Sequence, residues 1–555
     1  MMTPVERLKR LLKVEHKDIS QVYIYAFFNG LVNLSLPLGI QAIINLIQGG
    51  EITTSWYVLV AFVIGGVALA GILQLLQLRI VENLAQKIFS NASFEFAYRI
   101  PKIKYSAFRN YYGPELANRF FDTMTIQKGL PKILIDFSLA IFQVIVGLIV
   151  LSLYHSFFIL FSVLLLILIF IIIATTGPKG LSTSLKESKA KYSIAFWLQE
   201  VARTKLSFKL ASKSKLNLTR TNEHLDSYLD SRESHFKVII SQSIYLIIFK
   251  VLVAAGLLIT GSLLVFNEQM NIGQFVAAEI IIILIIASIE KLIKTIESIY
   301  DVLTALEKIG FVFDKEMDQD EGIGLKKTDS SFAVAMEGLS FHYEGSVRNS
   351  LENLTLSIPK NTSLLITGPP SSGKSTLLKL MAGILEPSSG LVKYNGFPLG
   401  SIDLDEAKEE IGFCISYGEI FFGSILENIS MKRSEATPER ISNALAITGL
   451  NNFISKMPKG LNTILDPEAN RIPRNVENRI LLARAIAANP KLLILEDPLD
   501  HVPQEDKRMI IEALTDSSNP WSIIITSVDK IWKDFIKEEA VISDGKLIST
   551  TLQNN

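Results

Sequence analysis

The chain has 555 residues, with 55 basic and 55 acidic side chains, so its formal net charge is +0. It is too long for one ordinary domain, and the balanced charge gives no basic excess of the kind that nucleic-acid-binding proteins carry. Hydrophobic residues make up 49% and the mean hydropathy is +0.33, which favours membrane spans. The single cysteine, Cys414, excludes an internal disulfide and fits a reducing cytosolic environment for its half of the chain.

Six apolar runs precede residue 300, and each is near or above the ~20 residues that a helix needs to cross the hydrocarbon core. They lie at 20–47, 57–78, 133–153, 156–175, 238–266 and 273–299. We therefore predict a cytosolic segment at 1–19 and a transmembrane domain at 20–310. The basic N-terminus leads into a long apolar run without a small-residue cleavage site, so it is not predicted to be a cleavable signal. No peptidase-like domain is expected before the first span, so the chain is not expected to trim a leader peptide itself.

The distribution of lysine and arginine predicts the orientation of the spans. The long connections at 79–132 and 176–237 are rich in these residues. The connections that contain none are 48–56, 154–155 and 267–272. Because positive residues favour the cytoplasm, both termini and both long connections are predicted to lie inside.

The same two long connections are predicted to be helical, because proline and glycine are few there. A pair of ~25-residue helices would project tens of Å from the bilayer. The turns between the helices, near 108–115 and 201–211, are placed to touch a cytosolic domain. The alternative is two solvated helical hairpins that make no such contact.

Two ionisable residues lie inside the last two predicted spans, namely Lys250 and Glu279. Counted from the outer ends of these spans at 1.5 Å per residue, Lys250 is ~24 Å deep and Glu279 is ~10 Å deep. This difference disfavours a direct ion pair between them. Such residues are costly in a membrane and often functional, but each can also face the bundle interior or extend its polar end toward the membrane surface.

The composition becomes polar and charged after the sixth run, which predicts a linker at 311–331 and a separate nucleotide-binding domain at 332–555. In that domain, 368–375 fits the pattern G-x-x-x-x-G-K-[ST] of the phosphate-binding loop. An apolar run at 364–366 predicts a strand before the loop, and 376–382 predicts a helix after it. The candidate ATP-binding residues are Tyr343, Gly368, Ser371, Ser372, Gly373, Lys374, Ser375 and Thr376.

Each residue type in this loop has a physical reason. Gly368 and Gly373 let the backbone turn so that its N–H groups face phosphates, and the start of the helix adds a partial positive charge. Lys374 can reach the β- and γ-phosphates, and the hydroxyl of Ser375 can hold Mg²⁺. Tyr343 lies some thirty residues before Lys374, and its ring can either stack on a purine or fill the core at a strand end.

A second candidate lies further along the chain. The run 492–495 predicts a buried parallel strand, and Glu496 and Asp497 follow at its carboxyl end, where ligands bind in open α/β sheets. A carboxylate there can hold Mg²⁺ through water, and its neighbour can activate the attacking water. Glu496 and Asp497 are therefore the catalytic candidates, and Ser375 and Glu496 are the candidate metal ligands.

Six spans, two long connections and a fused nucleotide-binding domain resemble an ABC exporter half-transporter. The segment 271–278 is similar to the start of the sixth span in the bacterial peptide and type I secretion branch, and 481–491 resembles the helix before the family's Walker B strand. The resemblance implies an all-α six-helix transmembrane domain plus an α/β P-loop domain. It also implies that Tyr343 stacks on adenine, that the Walker A loop extends to Thr376, and that two halves pair as a homodimer or heterodimer. ATP is then clamped between the phosphate loop of one half and the signature sequence of the other.

Four motifs depart from the family pattern. Ser416 stands where the family has a glutamine that senses Mg²⁺ and water, and Ser527 stands where it has the switch histidine. The signature LSGGQ falls on 472–476, where Pro473 has no N–H to give to a γ-phosphate.

The fourth departure is in Walker B, which reads Glu496-Asp497 where the family has Asp then Glu, so the presumed general base is one methylene short. Together these changes imply a half that binds ATP and Mg²⁺ but hydrolyses ATP poorly. The rival interpretation is that Asp500 or Asp529 takes over the missing roles.

The resemblance therefore implies a subunit of the bacterial inner membrane whose nucleotide domain is cytoplasmic and whose partners are a second half-transporter and the lipid bilayer. It would export a substrate, possibly a peptide, a protein or an amphiphile. The alternative is a nucleotide-binding membrane subunit that senses or regulates without pumping. The six predicted spans exclude a soluble ATPase.

Overall fold

The computed structural model describes residues 2–48, 54–108, 113–211, 213–318, 322, 331–415, 419–466 and 472–552. The chain divides into two compact units, the first comprising Met1–Ile103 with Phe108–Glu316 and the second Lys104–Ala107 with Met317–Asn555. Within the described residues, six helical segments are long and apolar enough to cross a membrane, and all lie before residue 314. The predicted fold class, six spanning helices followed by a sheet-containing nucleotide domain, is confirmed.

The helices up to residue 313 include several that are much longer than a bilayer requires. In chain order they are α1 (Pro4–Val14), α2 (His16–Val32), α3 (Ser35–Gln48), α4 (Thr54–Lys102), α5 (Tyr105–Phe108), α6 (Gly113–Asn118), α7 (Asp122–Pro131), α8 (Ser138–Tyr154), α9 (Ser156–Arg203), α10 (Lys205–Leu210), α11 (Leu216–Phe266) and α12 (Ile272–Phe313). A 3₁₀ turn at Arg119–Phe121 joins α6 to α7, and a π-helical turn at Lys132–Phe137 joins α7 to α8.

The long connections continue the spanning helices, as their composition predicts. Helix α4 runs 49 residues and α11 runs 51, so each extends well past the ~20 residues that cross the hydrocarbon core. Helix α12 begins with a capping box: the Asn271 side chain accepts from Gln274 N at 2.7 Å, and the Gln274 side chain accepts from Asn271 N at 3.0 Å. This pairing satisfies backbone donors that the first helical turn leaves free.

The first span differs from the single run predicted at 20–47, because it is divided into α2 and α3 at Asn33 and Leu34. Pro37 explains the break. It has no N–H to donate to the carbonyl of Asn33 four residues earlier, so the helical ladder is interrupted there. The side-chain amide of Asn33 donates to Asn29 Oδ1 at 2.7 Å next to this break.

The two charges inside the last spans have different surroundings. Lys250 donates to Glu290, which lies eleven positions beyond Glu279 on α12, and Lys294 pairs with the other oxygen of Glu290 at 2.7 Å. Glu290 is nearer than Glu279 to the membrane depth of Lys250. This agrees with the residue count, which disfavours an ion pair between Lys250 and Glu279. Glu279 is half-buried on the same helix.

A polar contact joins three long helices within the first unit. Gln242 of α11 donates to Thr176 of α9 at 3.0 Å and to the hydroxyl of Tyr300 of α12 at 3.1 Å. Gly180 allows the ring of Tyr300 to approach α9, because a Cβ at that position would lie 2.3 Å from Tyr300 Cζ. Small residues and satisfied polar groups are the usual means by which membrane helices pack closely.

The second unit is an α/β domain. Its strands are β1 (Val334–Phe341), β2 (Leu351–Ile358), β3 (Leu364–Thr367), β4 (Ser389–Tyr394), β5 (Phe397–Pro398), β6 (Ile411–Cys414), β7 (Gly423–Ser424), β8 (Ile464–Leu465), β9 (Leu492–Glu496), β10 (Ser522–Thr526), β11 (Glu538–Ser543) and β12 (Lys546–Thr550). Its helices after α12 are α13 (Lys374–Met381), α14 (Leu404–Glu409), α15 (Ile425–Ser430), α16 (Pro438–Ile447), α17 (Asn451–Ile454), α18 (Arg474–Ile486) and α19 (Gln504–Leu514).

The largest sheet has the order β12-β11-β3-β10-β9-β6, in which the five strands from β11 to β6 pair in parallel. Strands β9 and β10 are buried along their whole length, as expected for parallel strands covered on both faces. A separate antiparallel sheet has the order β2-β1-β4-β5. Most of the predicted linker at 311–331 lies outside the described residues.

Candidate functional site

The phosphate loop turns at two glycines that no other residue can replace without strain. Gly373 has φ +100° and precedes the first residue of α13, and Gly368 has φ +150° at the end of β3. A Cβ on Gly368 would lie 1.9 Å from Ile542 O, and one on Gly373 would lie 2.4 Å from Ser350 O. The loop therefore depends on glycine both for its backbone angles and for its close approach to neighbouring backbone.

The side chain of Lys374, the first residue of α13, lies over the phosphate loop. Its Nζ donates to Gly368 O and Pro369 O, both at 2.8 Å, and to Ser372 Oγ at 3.3 Å. Partial burial lowers the pKa of Lys374, and the nearby carboxylates of Asp497 and Glu496 oppose that shift. The structure thus brings the predicted lysine and the predicted acidic pair into one electrostatic neighbourhood.

The remaining loop candidates lie on the same turn. Ser371 is exposed with φ +63°, Ser372 is buried, and Ser375 is exposed in the first turn of α13. The hydroxyl of Tyr343 is 3.1 Å from Thr376 Oγ1, which joins the aromatic candidate to the start of α13.

The Tyr343 ring is half-buried and stands edge-on to Phe341, with the ring centroids 4.8 Å apart. Tyr343 therefore lies beside the start of α13 and also packs on the neighbouring core, while its stacking on a purine stays a prediction.

The acidic pair occupies two different environments. Glu496 is only 6% exposed and is the last residue of β9. Asp497 has φ +40°, its N–H donates to Thr526 O at 2.9 Å, and its Oδ1 accepts from Val528 N at 2.9 Å. Two hydrogen bonds thus attach Asp497 to the segment that leaves β10.

Strand order explains why residues far apart in sequence meet. Ile366 of β3 is opposite Thr526 of β10, and Thr526 is opposite Glu496 of β9. Cys414 of β6 is opposite Leu495. Parallel strands end at the same edge of a sheet. The residues at the ends of β3, β10, β9 and β6 therefore lie along one edge, and they include the phosphate loop, Ser527 and the acidic pair.

The positions that depart from the family pattern are placed as follows. Ser527 is half-buried directly after β10, and its Oγ accepts from Asp529 N at 3.1 Å. Pro473 is the N-cap of α18, where no side chain accepts from the helix start, and its carbonyl accepts from Val476 N at 2.8 Å. Ser416 lies outside the described residues.

The two carboxylates of the rival interpretation have partners of their own. Asp529 accepts from Lys507 at 2.7 Å, and its pKa is lowered, with Lys507 holding the charged form against partial burial. Asp500 lies 3.1 Å from His501 Nε2. The carboxylate of Asp529 is therefore already paired with Lys507 within the domain.

One short part of the second unit comes from the long connection at 79–132, just before the turn near 108–115 that the sequence predicts to touch a cytosolic domain. Residues 104–107 belong to this unit, where Lys104 pairs with Glu386 at 3.0 Å and Lys379 Nζ lies 5.3 Å from the ring centroid of Tyr105. Lys379 is on α13, the helix that begins at the phosphate loop. Tyr105 and Lys379 are 274 positions apart, and no local pattern predicts that they meet.

The donor set fits a magnesium-bound nucleoside triphosphate. A lysine, a serine hydroxyl and a helix start stand at the loop, and two carboxylates stand across one strand from it. In the described part of the chain, no three His, Cys, Asp or Glu residues cluster as a metal site. Ser375 and Glu496 stay the predicted ligands of a cation, and Mg²⁺ is commonly bound by one or two protein oxygens together with phosphate oxygens.

Two family models match the chain. The model described as ABC transporter transmembrane region matches residues 22–289, and the model described as ABC transporter matches residues 351–500. The first begins in α2 and ends in α12, so it reaches all six spans, and the second contains the phosphate loop and the acidic pair. Together they cover both halves of the molecule in the order that the fold shows.

Three curated relatives illustrate the similarity, at 24–26% identity. The leukotoxin translocation ATP-binding protein LktB of a Pasteurella haemolytica-like species is 26% identical over 53% of this chain and 42% of its own length. The lactococcin-A transport/processing ATP-binding protein LcnC of Lactococcus lactis is 24% identical over 90% of this chain and 70% of its length. A probable multidrug resistance ABC transporter protein of Bacillus subtilis, YheI, is 24% identical over 52% of this chain and 50% of its length. The chain thus spans about two fifths of the leukotoxin relative.

A solved structure has the same fold. A bacterial Atm1-family ABC exporter with ATP bound superposes with a TM-score of 0.81, covering 97% of this chain and 95% of the other at 14% sequence identity. At that identity the likeness concerns the fold alone. It includes both the helical half and the sheet-containing half.

Proposed function

The chain belongs to the ABC transporter family as a half-transporter, a multi-pass membrane protein with a cytoplasmic ATP-binding domain, and on that premise we propose that it is an ATP-driven exporter subunit with a weak hydrolytic site. The observation that carries this proposal is an intact phosphate loop beside a carboxyl pair, fused to six spans. The membrane is the bacterial inner membrane. The exported substrate is a peptide, a protein or another amphiphile, as the names of the leukotoxin and lactococcin relatives suggest for those proteins.

ATP binding is supported by the residues that remain intact. Bound Mg–ATP would supply the phosphoanhydride bond whose cleavage drives export. Lys374 would exchange its loop acceptors for phosphate oxygens, Tyr343 would face the base, and Ser375 with Glu496 would hold the cation. The backbone N–H groups of the glycine loop would neutralise the remaining phosphate charge.

Weak hydrolysis is supported by the contacts of the acidic pair and its neighbours. Asp497 has one carboxylate oxygen engaged by Val528 N, and its side chain is one methylene shorter than that of glutamate. Ser527 has no ring nitrogen to contribute, and Pro473 gives no N–H at the signature position. Losing one transition-state contact costs about 3–4 kcal/mol, or roughly 10²–10³ in rate, and such losses need not add.

A second half completes the site in this proposal. If the partner is an identical chain, neither composite site has a normal signature loop and turnover is weak. If the partner is a different chain with intact motifs, each composite site keeps one intact side, because this chain's phosphate loop faces the partner's signature and the partner's catalytic residues face the segment at Pro473. Turnover is then higher than in the identical pair. The second candidate function, a subunit that senses nucleotide without pumping, is favoured by Pro473 at the N-cap of α18.

The deciding experiment measures ATPase activity of the full chain in lipid nanodiscs, alone and with a co-expressed partner. Turnover that Lys374→Ala abolishes supports the exporter, and tight ATP binding without turnover in every combination supports the sensor. The combined variant Glu496→Asp, Asp497→Glu, Ser416→Gln and Ser527→His restores the family residues and should raise turnover. If it does not, the signature position at Pro473 is the limiting defect.

A further inference from the structure

A cavity of about 810 Å³ lies within the first unit. It is formed between α6 with its 3₁₀ turn, the end of α9, the start of α11 and the end of α12. Its wall at Lys308 and Phe311 belongs to the last turns of α12, from which the chain continues toward the ATP-binding domain. The cavity is therefore on the cytoplasmic side of the spans.

A buried arginine in this cavity lacks a full set of partners. Arg119 is 8% exposed, its Nη2 donates to Glu115 at 3.2 Å, and its guanidinium lies 3.9 Å from the centroid of Phe311. Its Nε is buried and has no hydrogen-bond partner among the described residues. Since a buried charged donor without an acceptor costs free energy, Arg119 is suited to receive an acceptor from a ligand.

The rest of the cavity wall includes aromatic side chains with lysine and arginine side chains close to their rings. Arg220 lies 5.2 Å from the centroid of Trp197, and Lys308 Nζ lies 5.0 Å from that of Tyr192. Trp197 is 7% exposed, and its indole N–H is satisfied by Asn217 O at 3.2 Å. The aromatic surfaces are thus held in place and offer apolar contact beside positive charge.

The charge of the lining limits the ligand. Four lysine and arginine side chains and three glutamates line the cavity, so its formal charge is 4 − 3 = +1 with His224 neutral. A single carboxylate balances this charge, whereas a di- or triphosphate would leave an excess of negative charge. An apolar group next to the carboxylate would lie against the rings.

We propose that this cavity binds the carboxylate of an amphiphilic monoanion, with the guanidinium of Arg119 as the donor and the aromatic wall around Trp197 and Phe311 receiving the apolar part. The proposal rests on the proposed export function, because it assigns a chemical class to the exported substrate. The same chemistry is present at the C-terminus of an apolar peptide and in a fatty acid. The experiment therefore has an arm for each.

The test uses the full chain in nanodiscs and isothermal titration with two matched pairs of probes. The peptide pair is N-acetyl-Leu-Phe and its C-terminal amide, and the lipid pair is decanoate and decanol. We expect one acid at least to bind about tenfold or more tightly than its neutral counterpart, because a charge-assisted hydrogen bond contributes on the order of 1.5–3 kcal/mol. The pair that shows the difference identifies the source.

Variants connect that difference to the cavity. Arg119→Lys keeps the charge but removes the guanidinium donor, and should remove most of the preference for the acid. Arg220→Gln at the rim should weaken it, and it maintains the test if Arg119→Lys fails to fold. The control is Arg232→Gln, twelve residues further along α11, where the arginine pairs with Glu187 at 3.2 Å outside the cavity. It should bind the acid as the unaltered chain does.

Equal binding of acid and neutral probes overturns the inference, whether because the cavity binds neither or because a second copy of the chain covers it. An equal response of the Arg119→Lys and Arg232→Gln variants also overturns it. Binding of trinitrophenyl-ATP is measured on the same samples. If that nucleotide binds and the acids do not, only the inference about the cavity fails; if the nucleotide does not bind, the proposed function fails.

Discussion

Replacing Lys374 by alanine tests the phosphate site directly. In the structure its Nζ donates to three acceptors of its own loop, at 2.8, 2.8 and 3.3 Å. In the proposed function, binding of ATP would exchange these acceptors for oxygens of the β- and γ-phosphates. Each charge-assisted hydrogen bond contributes about 1.5–3 kcal/mol, so two such bonds contribute about 3–6 kcal/mol before the exchange is counted.

Because the lysine gives up three contacts to make the new ones, we expect the lower end of that range. A loss of about 3 kcal/mol corresponds to roughly 10²-fold weaker binding. The assay is titration of the full chain in nanodiscs with trinitrophenyl-ATP, competed by ATP. The matched control is Lys379→Ala, which removes the same charge from the same helix five residues later, over the ring of Tyr105. If Lys374→Ala binds ATP within about threefold of the control, the assignment of the phosphate site is wrong.

Three further predictions concern other residues. Tyr343→Ala should weaken ATP binding by about 1–3 kcal/mol while Tyr343→Phe binds normally; equal losses in both would show that the hydroxyl, not the ring, matters. Gly180→Ala should lower the thermal unfolding midpoint, because the added Cβ forces the Tyr300 ring away at a cost of about 1–3 kcal/mol. The control Gly177→Ala should leave the midpoint unchanged, since a Cβ there meets nothing within 4 Å. Equal midpoints in the two variants would contradict this reasoning. Burial raises the pKa of Cys414 to about 12 from an ordinary 9.0, so the folded thiol should resist Ellman's reagent at pH 8 and react only on unfolding. The stability contributed by the buried, protonated thiol is complete below pH 9 and is lost as the pH rises toward 12. Rapid modification of Cys414 in the native protein at pH 8 would contradict its burial.

The membrane half was largely predictable because its signals are local. A run of about 20 apolar residues must be helical in a bilayer, so counting residues locates the spans without knowledge of their neighbours. The break at Asn33 depends on Pro37, a single proline whose effect a hydropathy window averages away. The partner of Lys250 required knowing how α11 and α12 align, and depth counting excluded Glu279 without identifying Glu290.

The candidate site was predictable to the extent that its motifs are contiguous. The phosphate loop is eight consecutive residues, and the acidic pair follows an apolar run, so both can be read without the fold. The hydrogen bond from Val528 N to Asp497 could not be predicted, because it depends on β9 and β10 being neighbours in the sheet. The cavity around Arg119 brings together four helices from 115 to 311, and cation–ring pairs at such separations leave no periodic signal.

Helix α12 runs without interruption for 42 residues, about 63 Å at 1.5 Å per residue, from its capping box at Asn271 to Phe313. One inserted residue near its middle would turn everything beyond it by about 100° and shift it by 1.5 Å. Tyr300 would then leave Gln242, and Phe311 would leave Arg119, although neither side chain had changed. Natural insertions and deletions in homologous chains should therefore accumulate in the loops and spare this helix, so that its residue count is inherited more strictly than its residue identities.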